Sequence, residues 1–152
     1  MISARRLLLA GAAMAFAAAD GAGGARADAL ASLRWQYRPL LVFTPTETDA
    51  RLSRQTTILA ADPDGLTERK LAVLIVEPGR VFTTFGAPAP AAQARTLRRR
   101  FRVPDASFRV ILVGLDGGEK LSLDDPITLD NLYGVIDGMP MRRRELREQR
   151  DD

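Results

Sequence analysis

The sequence predicts an α/β domain, with a central mixed sheet of about four strands and helices on both faces. Three features lead there. Leu40 to Phe43 and Leu71 to Val76 are short, continuous apolar runs with β-branched and aromatic members, the pattern of strands buried on both faces. Segments with apolar residues at helical spacing separate the strand-like runs. Further on, Asp116-Gly117-Gly118 joins two more strand-like runs in the manner of a hairpin turn.

Leu40 to Phe43 reads as a central strand. Thr44-Pro45-Thr46-Glu47 then combines three helix-start features: a hydroxyl to cap, a proline suited to the first helical position, and an acid placed to close a capping box. Leu52, Gln55, Thr56 and Leu59 recur at helical spacing, so a first helix should run to about Ala61 and end at Asp62-Pro63-Asp64-Gly65. Leu71 to Val76 is the second strand, and Glu77-Pro78-Gly79 turns the chain. Val81 to Phe85 reads as a short edge extension and Ala87 to Pro90 as a linker. Ala91 to Phe101 is a second predicted helix, with Ala94, Leu97 and Phe101 inward and Arg95, Arg98, Arg99 and Arg102 outward; Val103-Pro104 stops it. Phe108 to Val113 and Glu119 to Leu123 are the third and fourth strands. Thr128 is a good cap for a third helix carrying Leu129, Leu132, Tyr133 and Ile136, with Ile127 and Leu132 as a hydrophobic staple. Gly138 and Pro140 end it, and from Met141 the chain reads as a frayed helix or a tail. Trp35 and Tyr37, ahead of the first strand, read as lid residues over the core. Two βαβ crossovers followed by a hairpin give the element order of the thioredoxin core. Its usual ligand site lies at the end of the first strand, facing the first helix N-terminus.

Residues 1–27 read as a signal peptide. Arg5 and Arg6 form a basic start, Leu7 to Ala19 is an apolar run too short for a stable membrane anchor, and Ala25-Arg26-Ala27 offers a cleavage site ahead of Asp28. The paired arginines leave a twin-arginine export route open beside the general one. Residues 28–147 then form one domain, and 148–152 a charged C-terminal tail. Removing residues 1–27 takes three of the 22 basic and one of the 19 acidic residues, so the net charge falls from +3 to +1. Basicity therefore gives no argument for a polyanionic partner. No second apolar stretch reaches membrane-spanning length. The chain has no cysteine and no histidine, so it has neither a disulfide nor the commonest side chains for redox, nucleophilic and metal chemistry near neutral pH.

Several segments together resemble one family: Arg38-Pro39-Leu40-Leu41-Val42-Phe43-x-Pro45, Leu97-Arg98-Arg99-Arg100-Phe101, Phe108 to Gly114, Asp116-Gly117-Gly118-x-Lys120 and Met139-Pro140-Met141-Arg142-Arg143-Arg144. It is the exported bacterial family of domain of unknown function 4174, which is also similar to domains in sushi-repeat extracellular proteins. The resemblance covers about residues 30 to 147 and implies a thioredoxin-like fold and export, with no catalytic residues to carry over. A shorter stretch, Phe43-Thr44-Pro45-Thr46-Glu47-Thr48, is similar to the Phe-Thr-Pro-x-Cys-Thr segment of one-cysteine peroxiredoxins, with Glu47 where the peroxidatic cysteine would stand. A carboxylate cannot attack peroxide as a thiolate does. Ser107-Phe108 occupies the place of the thioredoxin cis-proline.

The candidate binding residues are Thr44, Thr46, Glu47, Asp49 and Lys120. The first four either cap the helix or line a small polar pocket at the fold's usual site. Lys120 joins them from the Asp116-Gly117-Gly118-x-Lys120 motif. Arg98, Arg99, Arg100 and Arg102 form either a solvated face, paired with Glu68, Asp105 or the acids near Asp124, or a phosphate grip. Without interleaved aromatics they do not suggest nucleic acid. Arg142 to Arg147, beside Met139 and Met141, is either a solvated tail or a partner-docking segment. No metal site, calcium-loop spacing or phosphate loop is present, and no cofactor is expected. The expectation is a periplasmic or secreted non-catalytic module that binds a protein or small molecule. The alternative is a carboxylate-dependent enzyme using Glu47 or Asp49.

Overall fold

The computed structural model describes residues 29–87 and 94–152. Residues 1–28, the linker residues 88–90 and the predicted helix start at 91–93 lie outside the described residues. Among the described residues, β1 (Arg38–Phe43), β2 (Leu71–Glu77), β3 (Arg80–Phe85), β4 (Arg109–Val113) and β5 (Glu119–Leu123) form one sheet ordered β3-β2-β1-β4-β5. The helices are α1 (Ala50–Ala60), α2 (Pro63–Glu68), α3 (Ala94–Phe101), α4 (Leu129–Asp137) and α5 (Pro140–Asp151).

β1 and β2 pair in parallel at the centre, with Leu40 opposite Val73 and Phe43 opposite Val76. Every residue of both strands is buried, as their unbroken apolar runs demand. The segment read as an edge extension is a full strand. Pro78, followed by Gly79 at φ 80°, makes the tight turn that pairs Glu77 with Arg80, so β3 runs antiparallel to β2. This strand changes the topology expected from sequence. β3 and β4 both run opposite to the central pair, so α3 carries the chain from β3 across two strands to β4 instead of closing a second crossover from β2.

The sheet's alternation builds two cores. Leu41, Phe43, Leu74, Val76, Ile111 and Val113 face Leu97 and Phe101 of α3 and the N-terminal Leu33. Leu40, Val42, Val73, Ile75, Val110 and Leu112 face Leu52 and Leu59 of α1, Leu66 of α2, and Leu132 and Ile136 of α4. At roughly 1.5–3 kcal/mol for each fully buried large apolar side chain, these layers dominate stability. Tyr37 packs half-buried against the first core, but Trp35 is no lid: it is 60% exposed at φ 68°.

Asp62-Pro63 starts a helix as well as ending one. The Asp62 carboxylate accepts from the Gly65 amide at 3.0 Å, and Pro63 takes the first turn of α2, where its missing N–H costs nothing. Glycine is required at 65 because a β-carbon there would strike the Asp62 carboxylate and the Tyr133 hydroxyl. The Tyr133 hydroxyl donates to Asp62 Oδ2 at 2.9 Å; burial and that bond push its pKa up to about 12.

The C-terminal segment is a docked helix, not a frayed tail, and α5 runs past the expected division at 147/148. Arg142 is 1% exposed. Its guanidinium donates to the Glu68 carboxylate at 2.6 Å, the Glu68 carbonyl at 3.1 Å and Asp137 at 3.3 Å. Arg38, fully buried, donates to the Arg69 carbonyl at 2.9 Å and to both oxygens of Glu145 at 3.3 Å. Arg69 meets Asp137 at 2.9 Å and Lys70 meets Glu145 at 3.2 Å. Burial raises the Asp137 and Glu145 carboxyls, but these cations outweigh it and hold both below their ordinary values of 3.8 and 4.5. No helix among the described residues is long and apolar enough to cross a membrane.

Arg142→Met should cost about 1–3 kcal/mol in urea unfolding: it removes charged hydrogen bonds from a buried guanidinium, but Glu68 and Asp137 stay partly solvated and can turn to water. Because both carboxyl pKa values are lowered on folding, the stability they add is fully present above about pH 4.5. It should fall away as pH drops through the folded-state values, and chemical denaturation at pH 7 against pH 3 measures the loss.

Candidate functional site

The site expected at the end of β1 begins with Thr44, which is fully buried. Its amide donates to the Val76 carbonyl at 3.1 Å, its hydroxyl donates to the Thr46 carbonyl at 2.6 Å, and its own carbonyl accepts from Arg98 at 2.6 Å. Thr44 therefore ends a strand and does not cap a helix, and the predicted capping box with Glu47 does not form. Thr44 to Asp49 instead form a loop, with Thr46, Glu47 and Thr48 exposed at its tip. The Thr46 and Thr48 hydroxyls lie 3.5 Å apart.

Helix α1 starts five residues later than the sequence suggests, at Ala50, with Asp49 as its cap. The Asp49 carboxylate accepts from the Arg51 amide at 2.8 Å and from the Arg51 guanidinium at 3.0 and 2.8 Å. That guanidinium lies 4.9 Å over the Phe108 ring. The hydrogen bonds from Arg51 hold the Asp49 carboxyl below the usual carboxylate range. An acid–base catalyst near neutral pH needs the opposite shift.

Lys120 stands apart from the other four candidates. β4 is antiparallel to β1, with Arg109 opposite Phe43 and Leu112 opposite Leu40, so the β4–β5 turn falls at the amino end of β1. There Lys120 meets Asp116 at 3.0 Å and lines a pocket of about 300 Å³ with Arg38, Met139 and Met141. The structure keeps Thr44, Thr46, Glu47 and Asp49 on one loop and places Lys120 at the opposite end of the sheet.

The residue that sequence reasoning misplaced is Arg98. It points inward and is 4% exposed. One terminal nitrogen donates to the carbonyls of Thr44 at 2.6 Å and Val76 at 3.3 Å; the other donates to the Pro104 carbonyl at 2.8 Å. Its guanidinium lies 5.6 Å from the Phe43 ring centre. Burial pushes its pKa down, although arginine stays charged at any ordinary pH. Spacing held the signal: Ala94, Leu97, Arg98 and Phe101 fall on one helical stripe, all four buried. Arg142 carried a weaker one, three residues after the half-buried Met139.

The profile of the family described as "Domain of unknown function (DUF4174)" matches residues 29–145. The chain is similar to Sushi repeat-containing protein SRPX of Homo sapiens, 37% identical over 117 residues, covering 72% of this chain and 24% of that protein. It is also similar to Coiled-coil domain-containing protein 80 of Danio rerio, 24% identical over 133 residues, covering 77% of this chain and 15% of that protein. The chain thus spans about a quarter or less of the length of these relatives. Among solved structures, reduced 2-Cys peroxiredoxin of Plasmodium vivax superposes with a TM-score of 0.56 at 14% identity, over 76% of this chain and 84% of that one. Similarity at that level shows a thioredoxin-like fold and nothing about activity.

Asp49→Ala should cost about 1 kcal/mol in urea unfolding, since it removes the α1 cap. Asp49→Asn, which keeps a capping oxygen, should lose less.

Proposed function

The chain belongs to the DUF4174 family, and on that premise we propose that it is an exported, non-catalytic binding or adapter module. The observation that carries this reading is the composition of the fold's usual reaction centre. Thr44 closes the end of β1 with its amide, hydroxyl and carbonyl all engaged internally, and the chain holds no cysteine or histidine. The one carboxylate capping α1 is held ionised by Arg51. What reaches the surface is the tip Thr46-Glu47-Thr48, a polar contact loop. The relatives support a modular role, because this domain matches only a fraction of much longer proteins. Export to the periplasm or beyond is supported by the basic start, apolar run and Ala25-Arg26-Ala27 site.

Mass, activity and binding measurements test the reading. Intact mass of the native protein should show a chain beginning at Asp28; a main form retaining residues 1–27 would remove the case for cleavage. Insulin-reduction and peroxide-consumption assays should give no turnover above buffer, since no thiolate exists to form a mixed disulfide. A photo-crosslinking residue at position 47 should give discrete partner adducts in the native cell. Glu47→Gln should weaken that partner's binding while leaving the melting temperature nearly unchanged. Adducts at position 144 and none at 47 would move the contact region to α5.

A further inference from the structure

The carboxyl end of α3 and the turn that follows it enclose an open groove of about 570 Å³ beside the β1 end. Arg95, Arg99 and Arg102 line it from the surface, and Arg98 lines it as a buried residue. The groove's acid is Asp105, 91% exposed at its side chain, with Oδ1 3.8 Å from Arg98 Nε.

Elsewhere Arg54, Arg143, Arg144 and Arg147 show no ion pair among the described residues, but other arginines find carboxylates. Arg51, Arg69, Arg80, Arg109 and Arg142 each do so within 3 Å. Among the described residues, Arg95 and Arg102 meet no acid, and Arg99 reaches only the Thr96 hydroxyl at 3.5 Å. One further observation separates this stripe from an ordinary solvated face. Arg98 Nε is buried without a hydrogen-bond partner, and the one acid near it, Asp105, reaches it only as a long ion pair at 3.8 Å. Arg102, at φ 56°, is the left-handed residue that closes α3, with the Val103 amide donating to the Arg98 carbonyl at 2.9 Å; glycine would fit this backbone more easily.

We infer that this groove binds a small, multiply charged phosphate or sulfate anion. Guanidinium forks match tetrahedral oxyanions. Four of them around one concave surface set up a local positive field that survives the near-neutral charge of the whole chain. The groove is shallow and open, with one guanidinium buried at its floor, so a compact anion can seat against several exposed guanidiniums at once. The inference stands apart from the contact loop at Thr46-Glu47-Thr48, which uses different residues.

Calorimetric titration of the full mature chain with inorganic tripolyphosphate tests it. One site is expected, weakening with added salt. Arg95→Gln, Arg99→Gln and Arg102→Gln combined should lower affinity by about tenfold or more, the equivalent of losing at least one charged hydrogen bond. Asp105→Asn should raise affinity several-fold. Arg143→Gln, Arg144→Gln and Arg147→Gln combined, with the same change of charge on α5, should leave it unchanged. Arg98 is left intact because it ties the strand ends. Arg102→Gly should weaken binding while raising the melting temperature. Equal losses from the two triple variants, no binding of tripolyphosphate, or binding confined to phosphatidylglycerol vesicles would each overturn the inference. So would a fall in melting temperature for Arg102→Gly.

Discussion

Buried guanidinium groups hold both ends of the central parallel strand pair. β1 and β2 are covered on both faces and flanked on both edges, so the backbone groups where they stop have little water to turn to. At the carboxyl ends, Arg98 gathers the carbonyls of Thr44 and Val76 with that of Pro104. At the amino ends, Arg38 takes the Arg69 carbonyl and Arg142 takes that of Glu68. Arginine suits this task and lysine does not, because one planar fork reaches several acceptors in fixed directions. Buried ion pairs are not automatically stabilising relative to apolar packing. Their effect here is positional: Arg98 fixes α3 against the sheet end, and Arg142 fixes α5 under α2 and α4.

This arrangement changes what the fold's usual reaction centre can do. A helix N-terminus aimed at the end of β1 would offer a partial positive charge to a thiolate or an anion. Here the Thr44–Asp49 loop separates the strand from α1, and Asp49 with Arg51 occupies the first turn. The positive end of α1 is answered from within the chain. The surplus positive charge near this end of the sheet lies on α3, where Arg95 and Arg102 face solvent without an acid among the described residues.

The sheet was legible because burial on two faces leaves an unmistakable apolar run, as at Leu71 to Val76, and because Asp116-Gly117-Gly118 has little use except as a turn. The helix start at Thr44 was misread because local capping rules do not know that Thr44 is buried, with its hydroxyl taken up in a turn to Thr46. Arg98 and Arg142 were placed in solvent because a charged side chain is seldom buried, and the acceptors that permit it are distant in sequence: Val76 for Arg98, Glu68 for Arg142. The same non-locality hid the separation of Lys120 from the Thr44 loop, which follows from the antiparallel register of β4 on β1. β3 was undervalued because its half-exposed residues give a weak apolar signal, although Pro78-Gly79 marked the hairpin.

Arg98 is the one residue that belongs both to the strand-end lock and to the arginine groove, and its atoms divide cleanly between the two. Both terminal nitrogens donate to backbone carbonyls, while Nε has no partner. An anion seated on the exposed Arg95, Arg99 and Arg102 would leave the bonds from Arg98 to Thr44 and Val76 in place. The carboxylate nearest Nε, Asp105, is itself almost wholly exposed at 3.8 Å, so turning it into water breaks no close contact. Occupying the groove need not move the Thr44–Asp49 loop, and the two surfaces should act as neighbours whose energies add. The same domain matches only one part of longer proteins, so both surfaces belong to a unit that is similar to a segment of larger chains.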